Sequence, residues 1–311
     1  MNTFNPYANL LLPIGPAYYR FLPHPYFPED EHETFVIEGG EAFVYKLQHM
    51  GLKTFYALKV MKPGYRDAYT ATVAQWLAQY AEVPGLFLAQ RACLTRNNYP
   101  ELVKRLPDLE YASLFPWIDG RTWAGVMADP AASSRYTLAN AKDLTRAMAY
   151  ALWNLEAHSV AHTDIAGSNV VLAPNYQNIQ LIDLESLYIH GVKLPKKRSH
   201  GSPGYQHTQL DERGQCRLDG DRFAGAILLT EMLTWWNPAV RAQTPDDSES
   251  LFSPRELQTD DDTLRWRRVR RTLAQLDEAL LELFDQAWYS ASLEECPDFG
   301  TWSMALAKAF Q

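Results

Sequence analysis

The segment "VAHTDIAGSNVVL", residues 160–172, places an acid and an amide in a bend between two apolar runs. Asn169 follows Asp164 by five residues, and Asp183 ends the next apolar stretch, "NIQLID". A carboxylate on a rigid loop can orient a hydroxyl group and accept its proton, while an amide oxygen and a second carboxylate can ligate Mg²⁺. Each acid alone is explained by a local hydrogen bond in a turn. Together, the three residues favour a phosphoryl-transfer site.

A lysine inside an apolar strand is the second feature that could do chemistry. Lys59 lies within "FYALKVM", where burial of its ammonium group is costly unless the group is paired. It either reaches water from an edge strand or points into a cleft and holds the α- and β-phosphates of ATP. Upstream, Gly39 and Gly40 either form a simple hairpin turn or cover the phosphates, with Val44 above the adenine.

The composition excludes several classes of protein. Of 311 residues, 47% are hydrophobic and 21% are charged, which is typical of a globular protein. The net charge of −8 argues against a nucleic-acid-binding surface, which needs clustered Lys and Arg. The three cysteines are widely spaced, as expected in a reducing compartment, and no apolar run approaches the roughly 20 residues of a membrane span. We therefore expect a cytoplasmic protein with no membrane or nucleic-acid partner.

The order of elements predicts an α+β fold with two unequal lobes. Residues 1–32 form a Pro- and aromatic-rich extension that we expect to pack on a neighbour, and residues 33–117 read as a small sheet with one helix over 67–81. Residues 118–311 are mostly helical, with a buried helix from Asp219 and a polar, solvated loop over 241–262. A cleft between two such lobes is a usual ligand site.

Seven segments in this order resemble characteristic parts of the eukaryotic-type protein kinase superfamily, in a divergent bacterial-like form. The segments occur within residues 34–311. In the first part, "GGEAFVYKL" resembles the glycine-rich loop, "YALKV" the lysine strand, "HTDIAGSN" the catalytic loop and "IDLE" the metal-binding motif. Further along, "GSPGYQH" resembles the substrate-side loop, "DGDRFAGAILLTEML" the central helix and "LFDQAWYSASLEECPDF" the C-terminal helix pair. The resemblance implies a bilobal protein-kinase-like fold.

The resemblance also implies roles for individual residues in a serine/threonine kinase that uses ATP with Mg²⁺ or Mn²⁺. Asp164 would be the catalytic base, assisted by Lys59 and Asn169, and the metal would be held by Asn169 and Asp183. The implied ATP-binding residues are Gly39, Gly40, Val44, Ala57, Lys59, Phe115, Pro116 and Ile118. The implied structural and regulatory residues are His162, Gly201, Tyr205 and Asp221.

The chain departs from the family pattern at several positions. Ile37 and Ala42 replace glycines of the glycine-rich loop, and no acid that could pair with Lys59 lies between Asp67 and Glu82. Thr163 replaces the arginine that binds a phosphorylated activation loop, so we expect any activity to be independent of that switch. Three further departures are Glu185 in place of glycine, and Gln209 and Cys296 at the positions of a buried ion pair.

Two questions stay open from the sequence. The basic segment with Lys193, Lys196, Lys197 and Arg198 is either a solvated loop or a docking strip for an acidic partner, either a separate protein or the chain's own residues 246–262. The function is either protein phosphorylation, nucleotide binding without transfer in a pseudokinase, or phosphorylation of a small molecule of the aminoglycoside or choline type. "GSPGYQH" and the helix that follows Asp221 oppose the last alternative.

Overall fold

The computed structural model describes residues 4–80, 91–242, 249–259 and 262–311, which divide into two compact units. The first unit contains residues 4–80, 91–118 and 195–197, and the second contains the other described residues. Strands and helices are both abundant, which confirms the mixed α+β class.

The first unit is built around an antiparallel sheet, to which its described residues contribute seven strands. The strands are β1 (Leu11–Ile14), β2 (Ala17–Phe21), β3 (Val36–Glu38), β4 (Ala42–His49), β5 (Phe55–Met61), β6 (Ala92–Cys93) and β7 (Ser113–Pro116). Their order is β1-β2-β4-β5-β7-β6, and β3 pairs with the first half of β4. The strands predicted over residues 34–61 are confirmed.

The N-terminal segment is part of this sheet, which the sequence did not predict. Strand β1 pairs with β2 through Ile14 and Ala17, so Gly15 and Pro16 form a two-residue turn. Gly15 has a φ of 58°, the left-handed conformation that such turns require. The prolines exclude a long helix here, but they are compatible with an edge hairpin.

Alternating side chains of the sheet bury one apolar face. The core of the first unit includes Phe4, Phe21, Tyr45, Leu47, Leu58, Val60, Leu94 and Leu109. Two helices complete the unit, α1 (Tyr69–Tyr80) and α2 (Pro100–Arg105), with short 3₁₀ turns at Pro63–Tyr65 and Pro107–Leu109. Helix α1 confirms the helix predicted over 67–81. The apolar segment "GLFLAQRACL", residues 85–94, predicts a further strand, of which β6 covers Ala92–Cys93, while residues 85–90 lie outside the described residues.

The second unit is mostly helical. Its helices are α3 (Trp123–Ala128), α4 (Pro130–Arg135), α5 (Leu138–Ala157), α6 (Arg222–Thr234), α7 (Pro238–Arg241), α8 (Pro254–Thr259), α9 (Leu264–Leu276), α10 (Glu278–Trp288) and α11 (Phe299–Ala309). Every residue of α6 from Phe223 to Thr234 is buried, as its continuous apolar sequence predicts. A capping box between Thr137 and Asn140 fixes the start of α5.

Short strands of the second unit frame the predicted loop. They are β8 (Arg121–Thr122), β9 (Val160–Ala161), β10 (Val170–Leu172), β11 (Ile179–Leu181) and β12 (Tyr188–Ile189), with 3₁₀ turns at Gly167–Asn169, Leu184–Ser186 and Leu293–Glu295. Strands β10 and β11 form an antiparallel hairpin, and β9 pairs with β12. Residues 162–169 therefore leave one small sheet and enter another.

The prediction of a solvated loop over 241–262 is wrong for part of that range. Leu251 and Phe252 are fully buried, and the Phe252 ring centroid lies 4.8 Å from that of Trp288. These two apolar residues anchor an otherwise polar stretch because their burial outweighs the polar character of their neighbours. Residues 243–248 and 260–261 lie outside the described residues.

Candidate active site

The loop that carries Asp164 is held by a carboxylate at the start of α6. Asp221 is buried and accepts hydrogen bonds from the backbone nitrogens of His162, at 2.5 Å, and Thr163, at 2.8 Å. Burial raises the pKa of Asp221, while the two amide donors act in the opposite direction. Both loop amides are thereby satisfied inside the protein, which fixes the backbone just before Asp164.

Asn169 holds the side chain of Asp164. Its Nδ2 atom donates to the backbone oxygen of Asp164 at 2.8 Å and to the carboxylate Oδ2 at 3.2 Å. The 3₁₀ turn at Gly167–Asn169 brings the amide back over the loop, since Asn169 N donates to Ala166 O at 3.0 Å. Acid and amide are therefore neighbours in space, as their spacing suggested.

The hairpin places Asp183 beside Asn169. Val170 pairs with Leu181, and Ile182 N donates to Asn169 O at 3.0 Å. Asp183 has φ 61° and ψ 47°, a left-handed conformation that is uncommon for a residue with a side chain. Strain of this kind often accompanies a functional position, because the surrounding structure must enforce it.

Asn169 and Asp183 offer an amide oxygen and a carboxylate, which are ligand types that Mg²⁺ accepts. Both side-chain hydrogen bonds found for Asn169 use Nδ2, so its amide oxygen can act as a ligand next to Asp183. No cluster of three His, Cys, Asp or Glu side chains that could hold a metal occurs in the described part of the chain. Mg²⁺ is commonly bound by one or two carboxylates together with substrate phosphates.

His162 and Thr163 connect the loop to the residues around Asp183. His162 is fully buried, and its Nε2 lies 2.8 Å from Ile182 O. A carbonyl only accepts, so Nε2 carries the proton. Thr163 has a φ of 69° and is also fully buried, and its hydroxyl donates to Ser186 O at 2.9 Å. Thr163, at the position where the kinase resemblance would imply an arginine, is thus a buried residue that hydrogen-bonds to the chain itself.

A second hydroxyl-bearing segment reaches Asp164, and the sequence did not reveal it. Ser202 Oγ donates to Asp164 Oδ1 at 2.8 Å. Ser202 begins a tight turn through Pro203 and Gly204, closed by Tyr205 N donating to Ser202 O at 3.0 Å. Gly204 has a φ of 86°, as the third residue of a type II turn requires. The Ser-Pro-Gly sequence after Gly201 was the available signal.

Glu231 is the other residue of this region that the sequence analysis missed. It is fully buried in α6 and accepts from Tyr205 Oη at 2.8 Å, Trp123 Nε1 at 3.0 Å and Leu251 N at 2.6 Å. Burial, partly opposed by these donors, raises the pKa of Glu231 to about 7. Burial also raises the pKa of Tyr205, so that its hydroxyl keeps its proton. A lone acid within "ILLTEML" was the sequence signal.

The predicted ATP-binding residues lie in the first unit, on and around its central strands. Lys59 is 8% exposed and stands between Val44 and Ser113 in the sheet register. Ala57 stands opposite Phe115, so these residues share one face of the sheet. Pro116 opposes Tyr56 on the other face, and Ile118 follows the end of β7.

The glycine pair forms the turn between β3 and β4, where Gly39 N donates to Ala42 O at 2.9 Å. Neither Gly39 nor Gly40 has a positive φ. A Cβ on Gly40 would meet no other described atom within 4 Å. An open backbone at this turn, rather than a left-handed conformation, is what the two glycines provide.

The departures from the family pattern have structural counterparts. Helix α1 contains no acidic residue. Glu82, the next acid along the chain and the nearest candidate to pair with Lys59, lies outside the described residues. Glu185 is buried in the turn after Asp183. In place of an ion pair, Cys296 Sγ lies 3.1 Å from Ser290 Oγ, which contacts His207 Nε2 at 3.1 Å, and Gln209 N donates to His207 Nδ1. Neutral hydrogen bonds thus occupy that position.

The basic segment is partly engaged by its own chain. Lys197 Nζ lies 3.6 Å from the Tyr65 ring centroid, and Lys196 N donates to Asp67 Oδ2 at 3.0 Å. Arg198 Nη1 donates to Glu212 O at 3.1 Å. The side chains of Lys197 and Arg198 are therefore engaged within the chain, whereas the contact of Lys196 uses its backbone nitrogen. Two acids of residues 246–262, the stretch suggested as a partner of the basic segment, pair with other arginines. Glu256 Oε2 lies 2.5 Å from Arg265 Nη1, and Asp262 Oδ2 lies 2.7 Å from Arg267 Nη2.

Neither membrane-spanning helices in the described residues nor similar proteins indicate a function for this chain. None of the described helices is both long and apolar enough to cross a membrane. The sequence matches no protein-family model and no curated protein.

Proposed function

We propose that this chain is a cytoplasmic protein serine/threonine kinase that uses ATP with Mg²⁺ or Mn²⁺. In this proposal the first unit is the small lobe and the second is the large lobe of a kinase-like fold. The observation that carries it is Asp164, a carboxylate fixed by Asn169 on one oxygen and facing the Ser202 hydroxyl at 2.8 Å on the other. A carboxylate presented in this way can orient a hydroxyl and accept its proton.

Each residue has a separate task in this proposal. Asp164 accepts the proton of the substrate hydroxyl, and Asn169 keeps its carboxylate in place. Asn169 and Asp183 would hold the metal, and Lys59 would hold the α- and β-phosphates. Bound ATP supplies the phosphoryl group that is transferred. Asp221 positions the loop through two backbone amides and does not itself touch substrate.

A pseudokinase that binds nucleotide without transfer is the second candidate. The absence of an acid from α1 favours it, because the family pairs the strand lysine with a helix glutamate. Ile37 and Ala42 in place of glycines point the same way. The complete set of Lys59, Asp164, Asn169 and Asp183 opposes it. A small-molecule phosphotransferase is less well supported, since the segment with Ser202 and Tyr205 resembles the substrate loop of protein kinases.

A transfer assay with labelled ATP, divalent metal and a generic protein substrate distinguishes these functions. We expect transfer by the wild-type chain and a loss of at least about 100-fold in Asp164→Asn. Asp183→Asn should also abolish transfer, whereas Asp143→Asn, the same change at an exposed position of α5, should not. A nucleotide-dependent rise in melting temperature without transfer to protein would support the pseudokinase, provided that an aminoglycoside and choline are not phosphorylated either. Neither binding nor transfer would contradict both.

A further inference from the structure

The geometry of Ser202 and Asp164 is that of a nucleophile and its base. Ser202 Oγ donates to Asp164 Oδ1 at 2.8 Å, within the 2.6–3.2 Å typical of such pairs. Asn169 occupies the other carboxylate oxygen, so Oδ1 is the oxygen left for a reacting hydroxyl. Ser202 is only half-buried, so its hydroxyl is not sealed into the core.

The turn that carries Ser202 is held from both sides. Gln206 Nε2 donates to Gly201 O at 2.7 Å, and Tyr205 is tied to Glu231. On the other side, a Cβ at Gly204 would lie 2.0 Å from Ser250 Oγ and 3.1 Å from Phe252 O, so the backbone packs directly on that loop. The hydroxyl is therefore presented to Asp164 by a rigid support rather than by a flexible tail.

We propose that Ser202 is an internal phosphorylation site of this chain, modified within the same molecule with Asp164 as the base. This inference rests on the proposed kinase function. In the transfer, a bond forms between Ser202 Oγ and the γ-phosphorus, and the bond from that phosphorus to the bridging β-phosphate oxygen breaks. The hydroxyl proton passes to Asp164 Oδ1, and ADP leaves with the electron pair of the broken bond.

The modification limits the activity of the chain that carries it. A phosphate on Ser202 brings a charge of about −1.5 to −2 next to the Asp164 carboxylate, and like charges at this distance repel. It also adds bulk in front of Oδ1, where the hydroxyl of a substrate has to replace the Ser202 hydroxyl. Each chain should therefore accept one phosphate here and then lose transfer to other proteins by about 100-fold, the contribution typical of a general base.

The test begins with full-length protein that has been treated with phosphatase, which is then removed. The protein is incubated with MgATP over a range of its own concentrations, and phosphate is measured by intact mass and located by peptide mass spectrometry. We expect Ser202 phosphate to approach one per chain at a rate independent of protein concentration. Asp164→Asn should not acquire it. Ser134→Ala, which removes an exposed serine hydroxyl of α4, should acquire it normally.

The outcomes separate this inference from the proposed function. Transfer to a generic substrate with an unmodified Ser202 overturns the internal site and leaves the kinase intact. A rate proportional to protein concentration overturns the route within one molecule. Absence of all transfer contradicts the kinase itself. Ser202→Thr keeps a hydroxyl and should still be phosphorylated, and its melting temperature, with that of Ser202→Ala, shows whether each variant folds.

Discussion

The Tyr205 hydroxyl donates to the Glu231 carboxylate at 2.8 Å, and this bond joins the segment that carries Ser202 to the buried helix α6. The same carboxylate accepts from Trp123 Nε1 and Leu251 N. One buried acid thus collects three donors from three different parts of the second unit. A change in its protonation state acts on all three contacts at once.

We predict that Glu231 makes the folded state less stable as the pH rises towards neutrality. Its folded-state pKa is about 7, above the ordinary value of 4.5, so between these values the folded chain holds a proton that the unfolded chain has released. The contribution is fully present below about pH 4.5 and is lost as the pH rises through about 7, a change of about 3 kcal/mol. Urea unfolding across this range measures it.

The isosteric variant Glu231→Gln should remove this component of the pH dependence. It should also be less stable than the wild type at the acidic end by about 1–3 kcal/mol, because an amide nitrogen replaces one of the two acceptors and strands a buried donor. Glu282→Gln makes the same change at an exposed position of α10 and should keep the wild-type slope. An unchanged slope in Glu231→Gln would show that another group titrates.

Removing the Asp221 carboxylate should lower both the stability of the fold and the local order of the loop that carries Asp164. Asp221→Ala leaves the buried backbone N–H groups of His162 and Thr163 without their acceptor, at a cost of about 1–3 kcal/mol for each. Amide hydrogen exchange at these two residues should accelerate more than exchange in α6 itself. Asp221→Asn retains one acceptor oxygen and should therefore lose less stability than Asp221→Ala. Equal acceleration throughout α6 would indicate global destabilisation instead.

The local parts of the candidate site were predictable, and its long-range contacts were not. Asp164 and Asn169 are close in sequence, and one hairpin brings Asp183 beside them, so spacing and periodicity were sufficient. Ser202 is 38 residues from Asp164, and its contact depends on how a type II turn packs against residues 250–252. No local pattern encodes that packing.

The same distinction explains the fold. The continuous apolar run of α6 predicted a buried helix, because a helix that is apolar on every side must be buried whichever elements pack against it. Strands β1 and β2 were hidden by Pro13 within β1 and by Pro16 in the turn between them, because proline weakens a strand signal although an edge hairpin tolerates it. The acidic neighbours of Leu251 and Phe252 hid the burial of both residues, and only tertiary packing brings the Phe252 ring to Phe284 and Trp288.

Lys46 should stabilise the first unit through three aromatic rings. Its Nζ lies 4.4 Å from the ring centroid of Trp117, 5.0 Å from that of Phe55 and 5.8 Å from that of Phe35. Lys46→Met keeps most of the apolar stem and removes the charge, so we expect a loss of about 0.5–2 kcal/mol in unfolding free energy. Lys104→Met, at an exposed position of α2, should be neutral. Equal effects of the two variants would exclude a specific cation–π contribution.

The close approach at Gly204 gives the sharpest test of the support beneath Ser202. Gly204→Ala introduces a side chain at φ 86° and places its Cβ 2.0 Å from Ser250 Oγ and 2.7 Å from Ser250 Cβ. Backbone strain of about 1 kcal/mol and overpacking of about 1–3 kcal/mol should add, and the displaced turn should lengthen the contact from Ser202 to Asp164. Urea unfolding measures the first effect, and the rate of Ser202 phosphorylation reports the second.

Gly191→Ala is the matched control, because Gly191 has a similar φ of 79° but a Cβ there would meet no described atom within 4 Å. Gly191→Ala introduces the backbone strain without the overpacking, so it should lower the free energy of unfolding by about 1 kcal/mol without affecting phosphorylation of Ser202. If both glycine variants lose the same stability, the loop at 250–252 yields to the added methyl group and does not support the turn rigidly. A larger loss in Gly204→Ala, with slower phosphorylation of Ser202, would show that packing behind the turn holds the hydroxyl against Asp164.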